Sequence, residues 1–560
     1  MEEPGGGRYD YTSIKYDPDG TELWVARYNG AFEDDNDDGA NDLALDDLGN
    51  VYVTGGSRRL GLFGVGDCTT VKYSSDGDEL WVARHNSAGD GSDYGYAMAV
   101  DGSGNVYVVS RSRFSSDSDY LTLKYDAFGN PLWTSLYHGS AGVAADAGKA
   151  IALDDSGDVT VSGTSQGYGT SDDYATVKYD AHGAERWIAR YNGPDNGRDE
   201  MSAMVVAGAG NVYVTGASDG IGTGGDYATV KYGPDGDELW VARYDGPASG
   251  WDGANALAVD GSGCVYVTGV SEGDESTEHD FATIKYGPDG TELWVARYDG
   301  TAGGWDEACA LAVDGSGNVF VTGGSASVSG DDDYTTIQYG PDGTQLWDAR
   351  YDGPDSADDW PNALALDDIG NVYVTGRSKG IGTSYDYATV KYGPDGAECW
   401  VERFGARAGG YDAANDIAVD GAGNVYVTGE HTLWEGYFWD RSEYATIKYD
   451  PDGQRLWVAY SPSNMRLESK ASSLAVDGAG NVYVTGRGGS LQTPDCYVTI
   501  KYGSGGRELW KATYQGSHDS FAASIAVDEA GGVYVTGESY GVGSGLDFAT
   551  LKYTPEGKLQ

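Results

Sequence analysis

The chain has 560 residues, 88 of them glycine and 43 tyrosine, with a formal charge of −52 at neutral pH. Glycine at that level breaks helices, while tyrosine, valine and threonine favour pleated surfaces, so an all-β fold is expected. The charge repels a phosphate backbone and excludes nucleic acid as a partner, and no apolar run approaches the ~18 residues that span a bilayer, which excludes membrane insertion.

Residues 10–28 open the chain with two strands, Tyr11–Tyr16 and a second that carries Trp24 and ends at Tyr28. The connection after them holds the densest acidic cluster, Asp34, Asp35, Asp37 and Asp38. From there one stretch of sequence repeats. Tryptophan returns at Trp81, Trp133, Trp187, Trp240, Trp294, Trp347, Trp400, Trp457 and Trp510, roughly every 53 residues. A fixed period of this length means one supersecondary unit stacked many times.

The clearest copy predicts four strands: C over Tyr227–Tyr232, D over Leu239–Tyr244, then A over Ala256–Val259 and B over Val265–Thr268. Residues 260–263 (Asp-Gly-Ser-Gly) join A to B and residues 233–236 (Gly-Pro-Asp-Gly) join C to D, both with tight-turn chemistry. The B–C and D–A connections are longer and vary. In an up-and-down meander they share one face, where a binding site is to be sought. Four short antiparallel strands per unit predict a β-propeller blade, with small-residue strand A innermost and the tryptophan of strand D packed between blades. Folding the C–D hairpin about Pro234 pairs Lys231 with Glu238 and Asp226 with Arg243, as it does Lys285 with Glu292 and Asp280 with Arg297. Each such pair would contribute ~0.2–1 kcal/mol.

One carboxylate recurs just before strand A: Asp38, Asp93, Asp146, Asp199, Asp252, Asp306, Asp359 and Asp412, replaced by Ser469 and Ser520 in the last two units. A second recurs at the start of strand C: Asp173, Asp226, Asp280, Asp333 and Asp386. Both classes belong to the long-loop face. Either they accept backbone N–H groups at loop ends, or they bind calcium, a hard cation that takes oxygen ligands, with Asp34, Asp35, Asp37 and Asp38 the leading cluster. No cofactor is required. Aromatics also sit in these loops: Trp251, Trp305, Trp360 and Tyr411, and Trp434, Tyr437 and Trp439 within the insertion at 431–441. Such platforms suit a protein or carbohydrate, against the plainer reading that they pack on the next loop. The five cysteines occupy five different places in the repeat, so neither a disulfide framework nor a zinc site is expected.

The motifs A-x-x-(I/L/V)-A-V-D-G-x-G-N-V-Y-V-T-G and D-Y-A-T-x-K-Y-x-P-D-G-x-x-L-W resemble the bacterial and archaeal β-propeller repeat of the SBBP type, over nearly the whole chain from Tyr9 to Leu559. The resemblance implies a secreted or surface-attached propeller without assigned catalytic residues. The expected function is therefore a non-catalytic extracellular or cell-surface scaffold for binding or assembly, although the start of the chain shows no signal-peptide pattern. A fainter similarity to quinoprotein dehydrogenases implies the alternative, a quinone-dependent or glycan-processing enzyme using the long-loop face.

Residues 1–560 read as one array. Residues 520–560 form a partial unit in which Lys558, Leu559 and Gln560 stand where the tryptophan strand is due. Ring closure by strand exchange would set the N-terminal strand D beside the C-terminal A, B and C, giving ten blades; two tandem five-bladed rings are the alternative. One strand C, with Tyr11, Ser13 and Lys15, is then left over. An unpaired edge is a template for another chain, which predicts a homo-polymer by strand addition.

Overall fold

The computed structural model describes residues 11–16, 19–28, 38–46, 50–58, 66–74, 78–87, 92–114, 117–139, 146–154, 156–207, 210–273, 278–300, 303–405, 410–433, 441–461, 469–490, 493–514, 520–527, 533–540, 546–553 and 556–559. Among these residues every regular element is a β-strand. They form nine four-stranded antiparallel sheets and one six-stranded sheet. Strand order in each four-stranded sheet follows the chain, A-B-C-D. Asp252–Val259, Val265–Glu272, His279–Tyr286 and Glu292–Tyr298 make one of them.

The strands run farther toward the long loops than the sequence pattern suggests. Strand A begins at Asp252 rather than Ala256, and strand B continues to Glu272 rather than Thr268. A bulge explains why periodicity is lost there: Ala254 pairs with Gly269 and Ala256 with Thr268, so Asn255 is the extra residue. The glycine of the Val-Tyr-Val-Thr-Gly motif follows from it, because a Cβ at Gly269 would collide with the Gly253 carbonyl oxygen. The recurrent aspartates expected in loops therefore lie at strand ends, on rigid backbone.

Strand D carries a second bulge, and it overturns one expected pairing. Lys231 pairs with Trp240 and Tyr232 with Glu238, so the Lys231–Glu238 and Lys285–Glu292 ion pairs do not form in this register. Instead Lys231 lies 5.1 Å from the Tyr213 ring centroid and donates to the Pro288 carbonyl of the next blade at 2.7 Å. The indole of Trp240 donates to that same oxygen at 3.1 Å. Lys285 and Trp294 grip Pro341 in the same way. Gly290 (φ +79°) lies against the Trp240 ring with no space for a side chain. The tryptophan row is thus blade-to-blade packing, as expected. Hydrophobic clusters straddle the same joints: Tyr213, Tyr227 and Trp240 of one blade pack with Val265, Val267 and Ile284 of the next. Fully burying one such aliphatic side chain contributes about 1.5–3 kcal/mol.

The six-stranded sheet joins the two ends of the chain in the order Tyr11–Tyr16, Asp19–Tyr28, Glu556–Leu559, Leu546–Tyr553, Val533–Tyr540, Ser520–Val527. Here the surplus strand departs from expectation. Tyr11–Tyr16 is not an unpaired edge: it pairs antiparallel with Asp19–Tyr28 and parallel with Leu546–Tyr553, where Thr12, Ser13 and Ile14 face Ala549, Thr550 and Leu551. Tyr11, Ser13 and Lys15 pair with Tyr28, Ala26 and Trp24. The physical reason is local. Glu556–Leu559 is too short to cover the ladder of Leu546–Tyr553, and the exposed N–H and C=O groups accept the nearest strand of the same chain.

Candidate functional site

The long-loop edge of each blade is built from buried charge. Asp252 opens strand A fully buried, and its Oδ2 accepts the Gly246 N–H at 2.7 Å while its Oδ1 accepts the Glu272 N–H at 2.9 Å. One carboxylate thus clasps the incoming D–A loop to the outgoing B–C loop. Asp146, Asp306 and Asp359 clasp their loops by the same pair of contacts. Burial pushes Asp199, Asp252 and Asp306 up to about 6 and also raises Asp93, Asp146 and Asp359.

The second carboxylate class holds an arginine, as the expected Asp226–Arg243 and Asp280–Arg297 pairs required. Arg243 donates to Asp226 Oδ2 at 2.6 Å, and to the Ser218 carbonyl at 2.8 Å. It also donates to the Ser218 hydroxyl and to the Tyr191 hydroxyl of the preceding blade. Arg190, Arg297, Arg350 and Arg403 bind Asp173, Asp280, Asp333 and Asp386. In the Trp133 blade, Leu136 stands where the arginine is due, and His138 reaches Asp119 at 2.8 Å instead. Each guanidinium satisfies one oxygen of its aspartate. The buried Oδ1 atoms of Asp173, Asp226, Asp280, Asp333 and Asp386 have no hydrogen-bond partner.

Two blade joints and the edge of one further blade gather more negative charge. Asp226, Asp245 and Asp252 bring one oxygen each within 4.8 Å of one another, as do Asp280, Asp299 and Asp306, and Asp331, Asp333 and Asp352. The sequence pattern singled out Asp226, Asp252, Asp280, Asp306 and Asp333 but missed Asp331, just before strand C, and Asp245, Asp299 and Asp352, which follow strand D directly. A signal was there: the same position holds Asn29, Asn86, His138, Asn192, Gly405, Pro462 and Gln515 in the other units. Of the acidic cluster expected to bind calcium, Asp34, Asp35 and Asp37 lie outside the described residues, and Asp38 opens a strand A.

The loop aromatics take a middle course between binding platform and packing. Trp251 and Trp305 stay 47% and 40% exposed, although Trp305 stacks on His279 at 4.0 Å and Trp251 lies along the Gly225 backbone. Trp360 and Tyr411 are half-buried; Tyr411 packs on Tyr385 at 5.5 Å and accepts a hydrogen bond from Arg377. Trp434, Tyr437 and Trp439 lie outside the described residues. Unforeseen were the tips of four B–C loops, where Tyr168, Ile221, Val328 and Ile381 are 72–86% exposed. Each sits in a backbone-bonded turn, such as Gly220 N–H to Gly224 carbonyl at 3.0 Å, so the apolar side chain is held outward by rigid backbone.

Two clefts lie at the other edge. One of about 310 Å³ runs between Asp367, Asn371, Lys391 and Pro451, and one of about 620 Å³ between Asp420, Lys448, Asp477 and Ser504. Their carboxylates are engaged in turns: Asp420 accepts from the Asn424 side chain at 2.8 Å and from the Tyr426 hydroxyl at 2.7 Å. Burial alone would raise Asp420, but these bonds and the Asn424 and Ala422 amides hold it below the usual carboxylate range.

Three stretches, residues 350–382, 400–430 and 511–543, match the SBBP beta-propeller repeat. An uncharacterized WD repeat-containing protein of Acanthamoeba polyphaga mimivirus is 25% identical over 492 residues, covering 77% of this chain and 32% of its own length. The chain therefore spans about a third of that curated relative. A solved structure described as a eukaryotic initiation factor overlaps 80% of this chain and 94% of its own at a TM-score of 0.40 and 7% identity.

Proposed function

We propose that this SBBP-repeat chain is a non-catalytic scaffold, a single ring of ten blades, whose long-loop face binds a protein partner outside the cell or at its surface. The row of apolar tips, Tyr168, Ile221, Val328 and Ile381, carries the proposal. Exposed apolar groups on rigid turns lose little freedom on binding, so their burial converts efficiently into affinity. Half-exposed Trp251 and Trp305 on the same face add the aromatic anchors that dominate such interfaces. A chain of charge −52 selects a basic partner surface and steers its approach. Sharing of one sheet by the two chain ends supports the ring. The SBBP match and the acidic composition support the location.

The test is affinity capture with three forms of the protein: wild type, a variant with Tyr168, Ile221, Val328 and Ile381 all changed to serine, and Phe128→Ser as a control on the short-turn face. A basic protein retained by wild type and control but lost from the four-tip variant is the expected result. Equal retention by all three would place binding elsewhere.

A further inference from the structure

We propose that three carboxylate groups at the long-loop edge each bind one divalent hard cation, and that calcium is the ion that fits: Asp226, Asp245 and Asp252, and Asp280, Asp299 and Asp306, each spanning the joint between two blades, and Asp331, Asp333 and Asp352 on one blade beside its joint. The spacing suits it. Oxygens on opposite sides of a calcium ion bound at 2.3–2.6 Å stand about 5 Å apart, and the three carboxylates of each group offer oxygens within 4.8 Å.

The orphaned oxygens point the same way. Asp226 is 4% exposed; its Oδ2 is taken by Arg243, and its buried Oδ1 has no hydrogen-bond partner. Asp280 and Asp333 repeat this arrangement with Arg297 and Arg350. In the third group Asp331 adds a second orphan, its Oδ2. A buried carboxylate oxygen without a donor is costly, and a cation would remove the cost in all three groups.

Charge balance sets the valence. In the first group three carboxylates against the Arg243 guanidinium leave a net charge of −2, which a divalent ion neutralises. The guanidinium cannot substitute for it, because both terminal nitrogens of Arg243 are spent on Asp226, Ser218 and Tyr191. The neighbouring Trp187 blade is a control within the molecule. Asp173 there has the same orphaned Oδ1 and the same arginine partner, but Asn192 follows strand D, and the joint is not among the three carboxylate groups. The proposal is independent of any partner on the long-loop face.

Equilibrium dialysis of the full chain against radioactive calcium, in 0.15 M potassium chloride with millimolar magnesium as competitor, tests it. Three saturable ions per chain are expected, two for Asp245→Asn, and none at these groups for the triple variant Asp245→Asn, Asp299→Asn, Asp352→Asn. These substitutions copy the asparagine of the Trp81 and Trp187 units, so the repeat already accommodates them. An unchanged stoichiometry in the triple variant, or no saturable binding by wild type, would overturn the proposal. Terbium emission from wild type, excited through Trp251 beside Asp252 and displaced by calcium, gives a second readout that needs no variant; its absence counts equally against the sites.

Discussion

The two edges of each blade use aspartate in opposite ways. At the short-turn edge the carboxylate is saturated: Asp101 accepts from the Ser103 and Asn105 amides, the Asn105 side chain and the Tyr107 hydroxyl at 2.7–3.0 Å. Burial would raise it, yet those bonds hold it low. At the long-loop edge Asp199 is fully buried, its Oδ2 accepts the Gly193 N–H at 2.7 Å, and burial pushes it up to about 6. One edge is a finished framework that hooks blade to blade through lysine and tryptophan. The other is held together while carrying uncompensated charge. Among the described residues, the buried carboxylate oxygens without a hydrogen-bond partner all lie at the second edge.

The largest test of this contrast is Arg243→Met, which keeps the stem and removes the charge. It leaves Asp226 buried and unpaired, and should cost about 3–5 kcal/mol locally. The readout is amide hydrogen exchange in Gly225–Tyr232, which should speed up while the Trp400 blade stays protected. No change would mean that the aspartate had not been buried in earnest.

Next comes pH. Asp199 binds its proton more tightly folded, at about 6, than in the unfolded chain at 3.8. Its contribution is therefore fully present below about 4 and is lost as pH rises to about 6, a change on the order of 2–3 kcal/mol. Asp101 and its equivalents are lowered, so their contribution is present above 3.8 and is lost only as pH falls further. In chelator, thermal stability should peak between the two windows, and Asp199→Asn should lessen the slope of the limb between pH 4 and 6 by its own share, Asp252 and Asp306 carrying the rest. An unchanged slope in the variant would assign the limb to the other groups.

A smaller effect probes the framework edge. Trp187→Phe keeps an aromatic ring in the joint but gives up the 2.9 Å bond to the Pro234 carbonyl, and should cost about 0.5–1.5 kcal/mol in thermal unfolding. The smallest expectation concerns the tips. Ile221→Ser should change stability by less than about 0.5 kcal/mol, because the side chain packs on nothing that folding needs. A larger loss would show that the tip is framework after all.

Much of this was present in local pattern. The tryptophan period, the Asp-Gly-x-Gly turns and the Asp226–Arg243 pair follow from residues that meet across one hairpin, where sequence distance and spatial distance agree. The Lys231–Glu238 pair failed because Glu238 stands opposite Tyr232 while the bulge at Leu239 sets Lys231 opposite Trp240, and no composition rule announces a bulge. The tips escaped notice because a lone isoleucine in a glycine-rich loop has no periodicity to mark it.

The sequence by itself determined the all-β repeat unit, its four strands and which of its edges varies, since strand and turn preferences are local. Only the tertiary structure decided what lies at the joints. Asp226 and Asp252 are 26 residues apart and belong to different blades, and their oxygens meet with that of Asp245 because neighbouring sheets pack face to face. The fate of the surplus strand was decided in the same way. Pairing between the two ends of the chain depends on where the fold brings them, and it turned an expected free edge into a strand paired with both Asp19–Tyr28 and Leu546–Tyr553.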